Sequence, residues 1–325
     1  MIAMTVQRSP NDDLVVGVDG GGTKTVAWVA PLDDSTNTVV LGRGLAGPSN
    51  PRAVGFEASQ LAIRHAIAAA LEEANQPCEP VTAACLCLAG AGREPEQNVM
   101  ANWILSAKVA NCVRVTGDAE PILAAASPEH WGIALIGGTG SLAWGRNREG
   151  QTARTGGWGY LLGDEGSAYA IAVAGLRAAT QAADGRTPHT VLLPRLMQAL
   201  GAGEPSELIA RIYEDNLSRD QIAALAVRVF DVAAADDLTA HQIVHQAADE
   251  LATMVATLSR KLRLAAEDYP LAIAGSLLLK QERYRQAVLD RLGELRTPPA
   301  CVHLVADAVA GAVALARQAA HDTPR

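Results

Sequence analysis

Residues 14–30 read LVVGVDGGGTKTVAWVA. A short apolar run ends in an acid and three glycines, and a second apolar run follows at once, which predicts a strand, a tight turn and a returning strand. Consecutive glycines carry no Cβ, so several backbone N–H groups in such a turn can converge on one anion. A phosphate-binding loop of the glycine-lysine-Ser/Thr type would place Lys directly after the glycine and open a helix. Here Thr23 intervenes before Lys24 and the chain continues as a strand, so that class of loop is not expected.

The same unit recurs at 131–147, WGIALIGGTGSLAWGRN, again with a threonine inside the glycine turn. Around the first copy the pattern predicts a third strand at 37–42 (NTVVLG), a helix over 55–75, a buried strand at 81–88, a helix near 96–108 and a strand at 112–117 that ends in Asp118. The order β-β-β-α-β-α-β predicts a mixed rather than wholly parallel sheet. After the second copy helices dominate from 165 to about 267, and LAIAGS and CVHLVA read as strands, each followed by a helix. The repeated opening predicts an α/β protein made of two related lobes with a ligand cleft between them. The expected N-terminal lobe is 1–118, completed by the C-terminal helix 306–320, and the larger C-terminal lobe is 119–305.

The chain has 325 residues, 49% of them hydrophobic, enough for two cores. A net charge of -8 argues against nucleic-acid or anionic membrane partners. The five cysteines include no CxxC pair and predict reduced, mostly buried thiols. The first residues lack the apolar core of a signal peptide, and no stretch suits a membrane span, so a cytoplasmic protein is expected.

Two glycine-threonine turns, one per lobe, would clamp the β- and γ-phosphates of ATP: Gly21, Gly22, Thr23 and Lys24 in the first, Gly138, Thr139 and Gly140 in the second. Asp19 would hold Mg²⁺ directly or through water. Gly275 and Ser276, after the strand LAIAG, are candidates for the adenosine side. Asp118 reads either as the N-cap of the helix that Pro121 opens or as a carboxylate general base. Asn50 in GPSNPR reads as a turn former, and Gly90 and Gly92 are weaker candidates for backbone contacts. His241 and His245 share a helix face, but the residue after the first is glutamine, so a solvated face is expected rather than a zinc protease site.

The combination VVGVDGGGTKT, VTGDAEPILAA, LIGGTGSLAWG and GGWGYLLGDEGSAYAIA, in that order, resembles the eukaryote-type N-acetylglucosamine kinases and their bacterial glucosamine-kinase relatives. These belong to the ATPase family that also contains the activators of benzoyl-CoA reductase and 2-hydroxyacyl-CoA dehydratase, with an actin/hexokinase (ribonuclease H-like) fold. The resemblance runs from Leu14 to about Leu315 and is thin over 182–264. It implies ATP-dependent phosphorylation of an amino sugar at its 6-hydroxyl, with ATP and Mg²⁺ as cofactors, Asp118 as catalytic base, and Asn50, Asp118, Gly157, Trp158, Gly159 and Asp164 at the sugar. It also implies a homodimer. Trp158 suits an acetyl group and Asp164 a cationic amine, so N-acetylglucosamine and glucosamine both stand. An ATP-driven activator without a sugar substrate is the alternative of another class. The cluster-binding cysteines of the dehydratase activators and the zinc-binding cysteines of the repressor-type sugar kinases are both absent from the corresponding loops.

Overall fold

In a computed structural model of the chain, which describes residues 14–34, 39–76, 80–264 and 268–322, the first glycine turn joins two antiparallel strands. In chain order the elements begin β1 (Leu14–Gly20), β2 (Thr25–Pro31), β3 (Gly42–Ala46), α1 (Pro51–Val54), α2 (Phe56–Glu73), β4 (Val81–Leu88), α3 (Glu94–Ser106), β5 (Ala110–Thr116) and α4 (Glu120–Ala126). They continue with β6 (Gly132–Gly137), β7 (Ser141–Arg146), β8 (Thr152–Gly156), α5 (Ala168–Ala183), α6 (Leu192–Leu200) and α7 (Glu207–Ile209), the last running into a π-helical turn, Ala210–Glu214. The remainder is α8 (Arg219–Ala224), α9 (Ala226–Ala233), α10 (Leu238–Lys261), β9 (Pro270–Ala274), α11 (Ser276–Lys280), α12 (Glu282–Glu294), β10 (Cys301–Leu304) and α13 (Ala308–Asp322).

Two compact units result, residues 1–130 with 307–325 and residues 131–306. The first unit therefore continues through α4 to His130, beyond the boundary expected at Asp118, because α4 packs with α13 in the first core. Its sheet runs β3-β2-β1-β4-β5, antiparallel through the first three strands and parallel through the last three. β1 is central and apolar on both sides, the signature of a strand covered on both faces. One face meets α2, whose buried Ile63, Ala66, Ile67 and Ala70 recur at helical spacing, and α3 through Met100 and Ile104. The other face meets α13 through Ala312, Val313, Leu315 and Ala316. Arg317 on α13 is almost fully buried and donates to the carbonyl of Pro31 and to Asp34.

The third strand lies at Gly42–Ala46 rather than at 37–42, whose first two residues fall outside the described set. Its inward positions, Gly42 and Gly44, lie against the α2 backbone at Ala66 and Ala70, leaving no room for a Cβ. A strand whose inner face is glycine carries no hydropathy signal.

The second sheet runs β10-β9-β6-β7-β8, the same connectivity as the first read from the other edge: β6, β7 and β8 antiparallel, β6, β9 and β10 parallel. Its core includes Ile133, Leu135, Leu271 and Ile273 from the strands and Ile171, Val229, Leu251, Val255 and Val288 from the helices. This is the two-lobed actin/hexokinase-like class expected from the repeated β-turn-β opening. Among the described residues no helix is long and apolar enough to cross a membrane. Cys85 and Cys87 are buried, Cys112 is half-buried and Cys301 is exposed, all as free thiols, while Cys78 lies outside the described residues.

Candidate functional site

In the first unit the glycine turn is tied down on both sides. Gly21 N–H donates to the carbonyl of Lys24 (3.0 Å), while the amides of Ser49 and Asn50 both donate to the carbonyl of Gly21 (3.0 and 3.1 Å). The Thr25 hydroxyl, fully buried, bonds the carbonyl of Gly47 and Oγ of Ser49, each at 2.7 Å. These bonds fix Asn50 beside the turn. Its Oδ1 accepts from the amide of Arg52 (3.0 Å) and so caps α1, and its side chain lies against Gly90, where a Cβ would overlap it and the backbone takes a positive φ that glycine adopts freely. Gly22, Thr23 and Lys24 are exposed at the tip.

Asp19, at the end of β1, is close enough to Asp118 and Asp307 for their charges to matter. Burial first, then the charges of Asp118 and Asp307, push its carboxyl up to about 6, while Lys24 pulls the other way. Asp118 follows β5 and is not the helix cap: the N-cap position of α4 is Ala119, without a side-chain capping bond. The acid that local groups consume is its neighbour Glu120, which takes Arg114 at 2.5 Å and the hydroxyl of Thr116. Asp118 makes no ion pair among the described residues, and burial raises its carboxyl above the ordinary carboxylate value, partly offset by a bond from its own amide. Among the described residues no three His, Cys, Asp or Glu side chains converge as a metal cage. Such a cage is not what Mg²⁺ requires, since it commonly uses one or two carboxylates with waters and phosphate oxygens.

The second unit brings its candidates together in the same way. Gly138 N–H donates to the carbonyl of Gly140 (3.0 Å), and the carbonyl of Gly138 accepts from the amide of Ala168 (2.9 Å) at the start of α5. Gly275 has a φ of 94° and abuts Gly137 so closely that a Cβ would overlap its backbone, which places the β9–α11 turn directly beside the β6–β7 turn. The loop after β8 then supplies Asp164, 4% exposed and left-handed at φ 62°, a conformation Asp tolerates better than most residues. Its Oδ1 accepts from the amide of Ser141 (3.2 Å) and its Oδ2 from Nη2 of Arg219 (2.5 Å). The N-cap of α5 is Ser167, so the acids of GGWGYLLGDEGS are not a capping device. Trp158 stands 64% exposed between Gly157 and Gly159, both at positive φ, with the Arg154 guanidinium 5.3 Å from its ring centre.

Three residues that the sequence did not single out belong to these clusters. Asp307 directly precedes α13, the helix of the first unit farthest away in sequence, and it follows strand β10 much as Asp118 follows β5, the one signal that could have found it. Arg219 and Asp220 open α8 inside the helical stretch where motif resemblance was thin, and nothing in their sequence marks them. His241 and His245 sit on an exposed face of α10 beside Asp236 and Asp249, as expected of a solvated face.

Comparison with known proteins follows the same lines. The model of the BadF/BadG/BcrA/BcrD ATPase family matches residues 16–316. An N-acetylmuramic acid/N-acetylglucosamine kinase of Clostridium acetobutylicum is 33% identical over 264 residues, 81% of this chain and 85% of the relative. An N-acetyl-D-glucosamine kinase of Dictyostelium discoideum is 30% identical over 275 residues, with the same coverage of 81% and 85%. Among solved structures, a provisionally assigned N-acetylglucosamine kinase from Chromobacterium violaceum superposes with a TM-score of 0.73 at 25% identity, covering 95% of this chain and all of that one.

Proposed function

Because the chain belongs to the BadF/BadG/BcrA/BcrD ATPase family, we propose that it is an ATP-dependent kinase that phosphorylates the 6-hydroxyl of an amino sugar, N-acetylglucosamine first. The observation that carries this reading is the state of Asp118. It is a half-buried carboxyl with no ion pair among the described residues, beside a neighbour, Glu120, that absorbs the local cation. A carboxylate left free and lifted toward neutrality by burial is suited to general base catalysis. Asp118 accepts the proton of the sugar hydroxyl as its oxygen attacks the γ-phosphorus. ADP leaves, and the proton passes from Asp118 to solvent.

The remaining candidates divide by unit. Asn50 and Asp118 in the first, with Gly157, Trp158, Gly159 and Asp164 in the second, hold the sugar. Gly21, Gly22, Thr23 and Lys24 and the turn Gly138–Thr139–Gly140 present amides, hydroxyls and a cation to the phosphates, and Gly275 and Ser276 face the adenosine. Mg²⁺ fits at Asp19, where neighbouring acids leave surplus negative charge that a divalent cation relieves. When bound it supplies charge neutralisation on the phosphates. A cytoplasmic homodimer completes the reading.

ADP release with Mg-ATP and a sugar panel tests it. The panel comprises N-acetylglucosamine, N-acetylmuramic acid (a substrate in the name of the Clostridium relative), glucosamine and glucose. Release that depends on an amino sugar supports the kinase, and a preference for glucosamine selects the second substrate. Turnover indifferent to every sugar overturns it in favour of an ATP-driven activator.

A further inference from the structure

The strongest unabsorbed feature of the second unit is a pair of contacts made by the first two residues of α8. The Thr139 hydroxyl, in the middle of the β6–β7 turn, donates to Oδ1 of Asp220 (2.8 Å). One residue earlier, Arg219 donates from Nη2 to Oδ2 of Asp164 (2.5 Å), its guanidinium 5.6 Å from the ring centre of Tyr160. The pair is seated directly on the turn: a Cβ on Gly140 would lie 2.5 Å from Nη2 of Arg219 and 3.0 Å from each carboxylate oxygen of Asp164. The Arg219 side chain is 38% exposed, yet its Nε is buried and donates to nothing among the described residues. The guanidinium is thus incompletely satisfied where it stands and partly open to solvent.

This arrangement conflicts with the roles just proposed. Asp164 is to accept from sugar hydroxyls, but it is buried, each of its oxygens already accepts a bond, and Oδ2 holds the Arg219 cation. The turn is to hold phosphate, but its hydroxyl is given to a carboxylate. Resting on that reading, we propose that Arg219 couples the two substrates: without nucleotide it holds Asp164, and on nucleotide binding it exchanges this carboxylate for phosphate oxygens at the Gly138–Gly140 turn, releasing Asp164 to the sugar. The chemistry favours the exchange. A nucleotide phosphate carries more charge than a carboxylate and offers an arginine bidentate acceptors, including one for the unsatisfied Nε. It also repels Asp220 and competes for the hydroxyl of Thr139, so both contacts of α8 loosen together. Each substrate then tightens the binding of the other by the same factor, about tenfold by the usual scale of such coupling.

Calorimetric titration of N-acetylglucosamine with and without Mg-ADP tests this. The wild-type protein binds the sugar about tenfold more tightly with Mg-ADP, within the usual range of such coupling. Arg219→Ala binds it with the same affinity in both states. In Asp164→Asn the sugar weakens, the dependence on nucleotide disappears, and Mg-ADP alone binds more tightly than to wild type because Arg219 is already released. That last gain is a readout that a merely structural role for Arg219 would not move, and it holds the proposal open to test if Arg219→Ala folds poorly. Arg219→Lys, which keeps the charge without the fork, restores part of the coupling. Sugar binding indifferent to nucleotide in the wild type, or coupling retained in Arg219→Ala, or weaker Mg-ADP binding in Asp164→Asn, overturns the coupling alone. A wild-type protein that binds no amino sugar in any state overturns the substrate reading, and the coupling with it.

Discussion

The carboxylate of Asp118 pushes against that of Asp19: together with burial, the larger cause, it lifts Asp19 to about 6. The ordinary value is 3.8, so between about pH 4 and pH 6 the folded protein holds a proton that the unfolded chain releases. Stability associated with this group is therefore greatest at low pH and declines as pH rises through that window. Asp19→Asn removes the decline. Thermal melts at pH 7.5 should show the variant more stable than wild type, with the gap closing by pH 4, while the Mg²⁺ concentration for half-maximal turnover rises. A variant less stable than wild type at pH 7.5 contradicts the electrostatic account.

Asp118→Asn keeps the shape of the side chain and removes its basicity. Turnover should fall by roughly a hundred- to ten-thousand-fold, the usual contribution of a positioned general base, with the KM values for ATP and sugar changed little. Because burial raises the Asp118 carboxyl, wild-type kcat should drop as pH falls through that raised value, and near-normal turnover in the variant would remove Asp118 from the mechanism.

Asp164 is both a proposed sugar ligand and a structural acceptor for Ser141 and Arg219. Asp164→Ala leaves Arg219 without its partner and forces Ala into the left-handed region, so it should cost about 2 kcal/mol of stability, reduced from the fully buried case because Arg219 is partly exposed. Asp164→Asn tolerates the same φ and should melt closer to wild type. In both variants the sugar KM rises more than the ATP KM; equal changes would count against the sugar role.

Trp158 buries little of its ring, so Trp158→Ala should shift the melting temperature negligibly while raising the sugar KM, and sugar should alter Trp158 fluorescence in the wild type. An unchanged KM would leave Trp158 as surface only.

Gly311, buried on α13, passes so close to Pro121 on α4 that a Cβ would overlap its carbonyl carbon and oxygen. Backbone cannot yield as a side-chain tip can, so Gly311→Ala should destabilise the first unit by about 2 kcal/mol or more. Denaturant unfolding measures this, and a loss below about 0.5 kcal/mol would show that the two helices separate easily.

Much of the architecture was legible because strand, glycine turn and strand is a local pattern stated twice. The turns at Gly21 and Gly138, the strand ends at Asp19 and Asp118 and the glycine at 275 all sit where hydropathy changes to glycine or acid. β3 was displaced because its inner face is Gly42 and Gly44, and the unit boundary moved to His130 because α4 is held by α13, a contact across nearly two hundred residues that no local pattern encodes.

The sequence by itself determined the class of fold, the two glycine-threonine turns and the acid that follows β5, because each depends on residues close together in the chain. Only the tertiary structure decided which acids are free and which are engaged. Glu120 rather than Asp118 takes Arg114, Asp307 joins Asp19 from the far end of the chain, and Asp164 is held by an arginine 55 positions away. The physical reason is that a carboxylate's chemistry is set by the charges and burial around it, and folding brings those from segments the sequence keeps apart.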